Sequence, residues 1–131
     1  MTEEIEEKRV NIRTAILAKE KGFNLHCDWC YNEHCVEEQV GNINFVDDDK
    51  YITFSSPRQT LLQKWLREVH KLYVIPDIIY DDKNWQSFFY KIEDMNTRNT
   101  IQLDSKSKFY IRSYEQALEE GLFHALNLIK K

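Results

Sequence analysis

Glycine and proline are scarce in this chain: its 131 residues hold only 3 Gly and 2 Pro. That excludes collagen-like and low-complexity architectures. No apolar run approaches the roughly 18–20 residues that a membrane-spanning helix needs. The first residues are dominated by Glu3, Glu4, Glu6 and Glu7, the reverse of the basic start and apolar stretch of a secretory signal, and neither end carries a lipidation signature. The 3 cysteines are odd in number and lie between positions 27 and 35, so they do not form a disulfide framework for a chain of this size. These absences place the chain in the cytoplasm. A basic excess is missing too: 18 Lys+Arg against 22 Asp+Glu give a net charge of -4. The acidity is concentrated in residues 1–50, and the remainder is slightly basic. A general nucleic-acid footprint is basic, so this distribution argues against one.

What is present is core material. With 7 Phe, 7 Tyr and 3 Trp, disorder over the whole chain is excluded, and the length fits one domain over residues 1–131. A first helix is expected over about residues 3–21, with Val10, Ile12, Ile16, Leu17 and Phe23 as its apolar stripe and Gly22 as its left-handed stop. Alternation from Leu25 to Tyr31 predicts a strand. A turn is expected at 40–43, a solvated loop at 47–49 and a short strand at 51–54. Ser56-Pro57-Arg58-Gln59 reads as a capping box with proline in the first turn. The helix it opens is expected to bury Leu61, Leu62, Trp65, Leu66 and Val69.

Leu72–Tyr80 is β-branched and aromatic and predicts a strand. Pro76 within it calls for an edge or a bulge. A second strand is expected from Trp85 to Ile92, with Phe88, Tyr90 and Ile92 on one face, and a third over 100–103, 109–111 or both. Ser113-Tyr114-Glu115-Gln116 is a second capping box. The helix it opens carries Leu118, Leu122, Ala125, Leu126 and Ile129 as its stripe, with Gly121 marking a close approach to the sheet. The expected fold class is therefore α+β, an antiparallel sheet packed by helices in the order α-β-β-(β)-α-β-β-β-α.

Three segments, Leu17 to Phe23 (LAKEKGF), Leu61 to His70 (LLQKWLREVH) and Tyr114 to Leu122 (YEQALEEGL), together resemble a group of small uncharacterised proteins of phages and mobile elements of gut anaerobic bacteria. The resemblance touches the three helices and leaves the strands uncovered. It implies a gene acting in a bacterial host cell and transfers no functional residue.

Chemistry-bearing motifs are few. The sharpest is His26-Cys27-Asp28-Trp29-Cys30-Tyr31-Asn32-Glu33-His34-Cys35. Cys27 and Cys30 have the spacing of a zinc knuckle, and Cys35 with His34 (or His26) would complete four ligands. Against zinc, all four ligands would come from one short segment, and on a strand Cys27 and Cys30 face opposite sides. Ordinary cysteines without a cofactor are the preferred reading. Asp77 with Asp81, Asp82 and Lys83 superficially matches an acidic metal-dependent nuclease set, but four residues cannot place the two halves on neighbouring strands, so the segment reads as a polar turn.

Lys64 and Arg67, with Lys106, Lys108 and Arg112 interleaved with Phe109 and Tyr110, are the candidate nucleic-acid contacts. Glutamates at the start of the last helix depart from the lysines that a double-stranded RNA-binding domain places there. No glycine-rich phosphate loop and no nucleophile elbow is present. The expectation is a non-enzymatic cytoplasmic accessory protein that binds a host or viral protein through an acidic surface at Glu3–Glu7 and Asp47–Asp49, with a homodimer as a second arrangement open to it. A nucleic-acid- or zinc-binding module is the alternative.

Overall fold

A computed structural model describes residues 8–25, 27, 29–31, 37–39, 54–80, 86–103 and 113–130. The fold is α+β. Its elements are α1 (Ile12–Glu20), β1 (Trp29–Tyr31), β2 (Glu37–Gln39), β3 (Phe54–Ser55), α2 (Gln59–Val69), β4 (Leu72–Tyr80), β5 (Gln86–Asp94), β6 (Asn99–Leu103) and α3 (Tyr114–Leu128). They form two antiparallel sheets, ordered β2-β1-β3 and β4-β5-β6. The turn expected at 40–43, the loop at 47–49 and the strand at 109–111 lie outside the described residues.

Both helix starts in the front half differ from expectation, for one reason. The first helix begins at Ile12, not near residue 3, because residues 8–10 are extended and pair with 57–59. The Val10 amide donates to the Pro57 carbonyl at 2.9 Å and the Gln59 amide to the Lys8 carbonyl at 2.8 Å. Asn11 then caps α1, its side chain accepting from the Thr14 amide at 3.1 Å. The same pairing overrides the Ser56 capping box. The Ser56 amide donates to the Trp29 carbonyl, Pro57 is spent on Val10, and α2 starts at Gln59 with Arg58 as an N-cap that makes no side-chain capping bond. At α1's other end Gly22 (φ 97°) closes the helix as expected: its amide reaches the Lys19 carbonyl and the Phe23 amide the Ala18 carbonyl.

One continuous core joins the two sheets. It takes Cys27 and Tyr31 from the β1 region, Leu62, Trp65 and Leu66 from α2, Val74, Tyr90 and Ile92 from the larger sheet, and Leu118, Leu122, Ala125 and Leu126 from α3. Each aliphatic side chain fully buried there contributes about 1.5–3 kcal/mol. Two details correct the helical stripes. Val69, expected inside, is 57% exposed, and α2 buries Gln59 instead. Helix α1 buries its small residues Thr14, Ala15 and Ala18, while Ile12 and Leu17 are only partly covered. Small side chains let α1 lie close beside α3; the α3 stripe itself is buried as the spacing implied.

Helices α2 and α3 cover one face of the β4-β5-β6 sheet. Pro76 lies on β4, which is an edge strand among the described residues, as a residue without an N–H requires. That edge is blunted at alternate residues along the same side. Gln63 Nε2 donates to the Val74 carbonyl at 2.7 Å, Pro76 has no donor, and the Ile78 amide is taken by Asp77 Oδ1 at 2.8 Å.

Gly121 marks a close helix–sheet contact. A β-carbon there would sit 2.5 Å from Val74 Cγ1 and 3.1 Å from the Tyr90 ring. Valine is stiff at χ1 and Tyr90 is fully buried, so neither yields readily. Gly121→Ala should therefore destabilise the fold by about 1–3 kcal/mol in urea denaturation, despite alanine's helix propensity. Val74→Ala in the same chain should recover part of the loss.

Candidate functional site

Of the nominated zinc ligands, Cys27 and Cys30 are described, and His34 and Cys35 lie outside. Both described thiols are buried and neither is in a disulfide. Cys27 belongs to the main core and contacts the Leu25 carbonyl at 3.5 Å, whereas Cys30, one residue from core Tyr31 on β1, points to the opposite side. Among the described residues no group of three or more His, Cys, Asp or Glu is placed to hold a metal ion. Of the nominated nucleic-acid contacts, Lys64 is exposed on α2 and Arg67 lies 5.4 Å over the Tyr73 ring. Lys106, Lys108 and Arg112 fall outside the described residues, as do Glu3–Glu7, Asp47–Asp49 and Asp81–Lys83. Among the described residues no helix is long and apolar enough to cross a membrane.

The structure assembles a polar cluster that the sequence reading did not single out. Glu119 of α3 is 5% exposed. Its Oε2 accepts from the Asn11 amide at 3.2 Å and from the Thr14 hydroxyl, and its Oε1 from Gln59 Nε2 at 3.1 Å. Gln59 Nε2 also donates to the Glu115 carbonyl at 2.9 Å. One carboxyl group thus joins the starts of α1 and α2 to α3. A buried carboxyl is tolerated because donors surround it. A signal was available: position 119 lies three and seven residues before Leu122 and Leu126, on the apolar side of its helix.

A second cluster lies further along α3. The hydroxyl of fully buried Tyr90 bonds to His124 Nδ1. Arg13 bridges to Glu120 at 2.7 Å and its guanidinium lies 4.2 Å over the Phe123 ring. Burial holds the His124 imidazole below its ordinary value, and the nearby Arg13 charge lowers it further. With the ring neutral, the phenol donates to Nδ1 and the ring proton sits on Nε2. His70, edge-on to Trp65 at the end of α2, is also lowered by burial.

Two surface features remain. The face of the larger sheet turned away from α2 and α3 carries Tyr73, Ile75 and Asp77 opposite Glu93, Lys91 and Phe89, with Lys91 and Glu93 paired at 3.4 Å and Arg67 on Tyr73. In an isolated antiparallel bridge outside both sheets Arg9 stands opposite Arg58, and the Arg9 guanidinium lies 4.1 Å over the Trp29 ring. Compared with known proteins, the chain matches no family model, no curated protein and no solved structure.

Both buried clusters yield predictions. Glu119→Ala leaves the Asn11 amide without its acceptor and takes one of two acceptors from the Thr14 hydroxyl and from Gln59 Nε2, and should cost about 2–3 kcal/mol in urea denaturation. Glu119→Gln should cost about half as much, because a primary amide turns its own donor toward at least one of them. For the histidines the folded-state values are lower than the unfolded 6.5, so the unfolded chain binds more protons on acidification. Their contribution to stability is complete above pH 6.5 and is lost as the pH falls through the lowered values. Thermal midpoints should fall between about pH 7 and about pH 5, and His124→Gln should flatten that slope.

Proposed function

We propose that this chain is a non-enzymatic accessory protein of a phage or mobile element, acting in the bacterial cytoplasm by binding a host or viral protein. The observation that carries this reading is the sheet face turned away from α2 and α3. Tyr73, Ile75 and Phe89 are half-buried there, without a described helix over them, and Arg67 is stacked on Tyr73. Aromatic residues and arginine are the side chains enriched at the energetic centres of protein interfaces. The blunted β4 edge favours contact across the face over addition of a strand. Two titratable groups of the described interior, Glu119 and Tyr90, are already engaged: Glu119 is surrounded by donors and Tyr90 is bonded to His124. The resemblance to proteins of phages and mobile elements supports the setting.

The test is capture from a bacterial lysate by the intact chain, compared with Ile75→Lys and Phe89→Lys. A charge placed within the contact should weaken retention by at least about 30-fold while circular dichroism stays unchanged. Equal retention by both variants would overturn the reading, and so would recovery of nucleic acid alone with steep salt dependence.

A further inference from the structure

We infer that His124, Glu120 and Arg13 form a proton-operated switch, in which an imidazolium at His124 takes the Glu120 carboxylate from Arg13 and loosens the tie between α1 and α3. Contacts on three elements fix the starting arrangement. Tyr90 of β5 is fully buried, and its hydroxyl bonds to Nδ1 of half-buried His124. Arg13 of α1 bridges to Glu120 of α3 at 2.7 Å and lies over Phe123, the residue before His124. One guanidinium and one carboxylate thus join α1 to α3 beside the imidazole.

A neutral imidazole accepts at Nδ1, whereas an imidazolium donates from both nitrogens and accepts at neither. Protonation therefore takes the acceptor away from the Tyr90 hydroxyl. The phenol could turn and accept from Nδ1, but its own proton would then be left in the interior, with no second acceptor among the described residues. Turning the ring outward avoids that arrangement. Glu120 stands four residues before His124, so the two side chains are neighbours on one helix face, with the carboxylate on the N-terminal side that favours an ion pair. The Arg13–Glu120 pair is half-exposed, which makes it weak and readily exchanged.

The other groups packed around α3 do not compete. Leu72 and Val74 of β4 are buried and uncharged, as are Gln59, Leu62, Trp65 and Leu66 of α2. Glu119 accepts from Asn11, Thr14 and Gln59, and Lys21 of α1 donates to the Ile129 carbonyl. Among the described residues Glu120 is thus the carboxylate open to the imidazolium, and its capture leaves Arg13 without an ion-pair partner. Glu119 still holds the start of α1, so the change is confined to the Arg13 side of that helix. Burial and the Arg13 charge place the transition below the ordinary imidazole value of 6.5.

The test is an NMR titration of the intact protein from about pH 8 to about pH 5, following the His124 ring nitrogens and the Arg13 Nε–Hε resonance. The two should move together with one midpoint. Glu120→Gln, a change at a half-exposed pair, should abolish the Arg13 response over this range and lower the His124 midpoint. Tyr90→Phe removes a bond made only to the neutral ring, so the His124 midpoint should rise by about 0.5–1 in pH and the Arg13 response should follow it. In His124→Gln the Arg13 transition should be absent. An Arg13 resonance that stays fixed while His124 titrates would overturn the inference. A transition that survives in His124→Gln or Glu120→Gln, or that ignores the midpoint in Tyr90→Phe, would overturn it too.

Discussion

Two backbone hydrogen bonds, from Val10 to Pro57 and from Gln59 to Lys8, tie residues 8–10 to the segment that leads into α2. Much of the front half follows from them. Because 8–10 are extended, α1 starts at Ile12 and Asn11 is free to cap it. Because the Pro57 carbonyl and the Gln59 amide are engaged, α2 starts at Gln59. The two starts converge, and Glu119 reaches both. The same pairing sets Arg9 opposite Arg58. A contact between positions nearly fifty residues apart thus decides two helix boundaries, a buried polar cluster and a cationic surface pair.

The division of labour among the polar groups follows from their burial. Glu119 and the Tyr90–His124 pair lie where desolvation is costly, and they are satisfied by neighbours held in place by packed helices. Their work is to fix how α1, α2 and α3 meet. The surface residues are engaged differently. Arg13, Arg67 and Arg9 each lie over an aromatic ring, an arrangement that orients a guanidinium without burying its charge. The protein thus presents oriented cations on its outside and spends its buried carboxyl on architecture.

The back half was legible in the sequence because its signals are local. β4 spans Leu72–Tyr80, as the run of β-branched and aromatic residues indicated, with Pro76 on an edge. Ser113 caps α3 by accepting from the Gln116 amide, and Gly121 sits where a β-carbon would strike Val74. The front half misled for a physical reason. A capping box is worth about 1 kcal/mol, and two strand-type bonds plus the burial of Val10 and Pro57 outweigh it. The stripe of α1 was misread because larger apolar residues were ranked inside, whereas close contact with α3 selects Thr14, Ala15 and Ala18. As for the candidate sites, the sequence nominated cysteines and lysines, and the buried carboxyl of Glu119 passed as one charge among several on a solvated helix start.

By itself the sequence determined the class of fold, the presence of three helices, the extent of β4 and the stop at Gly22. Each is written in side-chain periodicity or in the backbone freedom of a single residue. Tertiary structure alone decided where α1 and α2 begin, which face of α1 is buried, that Glu119 lies inside, and that Arg9 meets Arg58. Those outcomes depend on which distant segments pair, and the free energy of pairing is set by burial and hydrogen bonding between them, quantities that no local window of sequence contains.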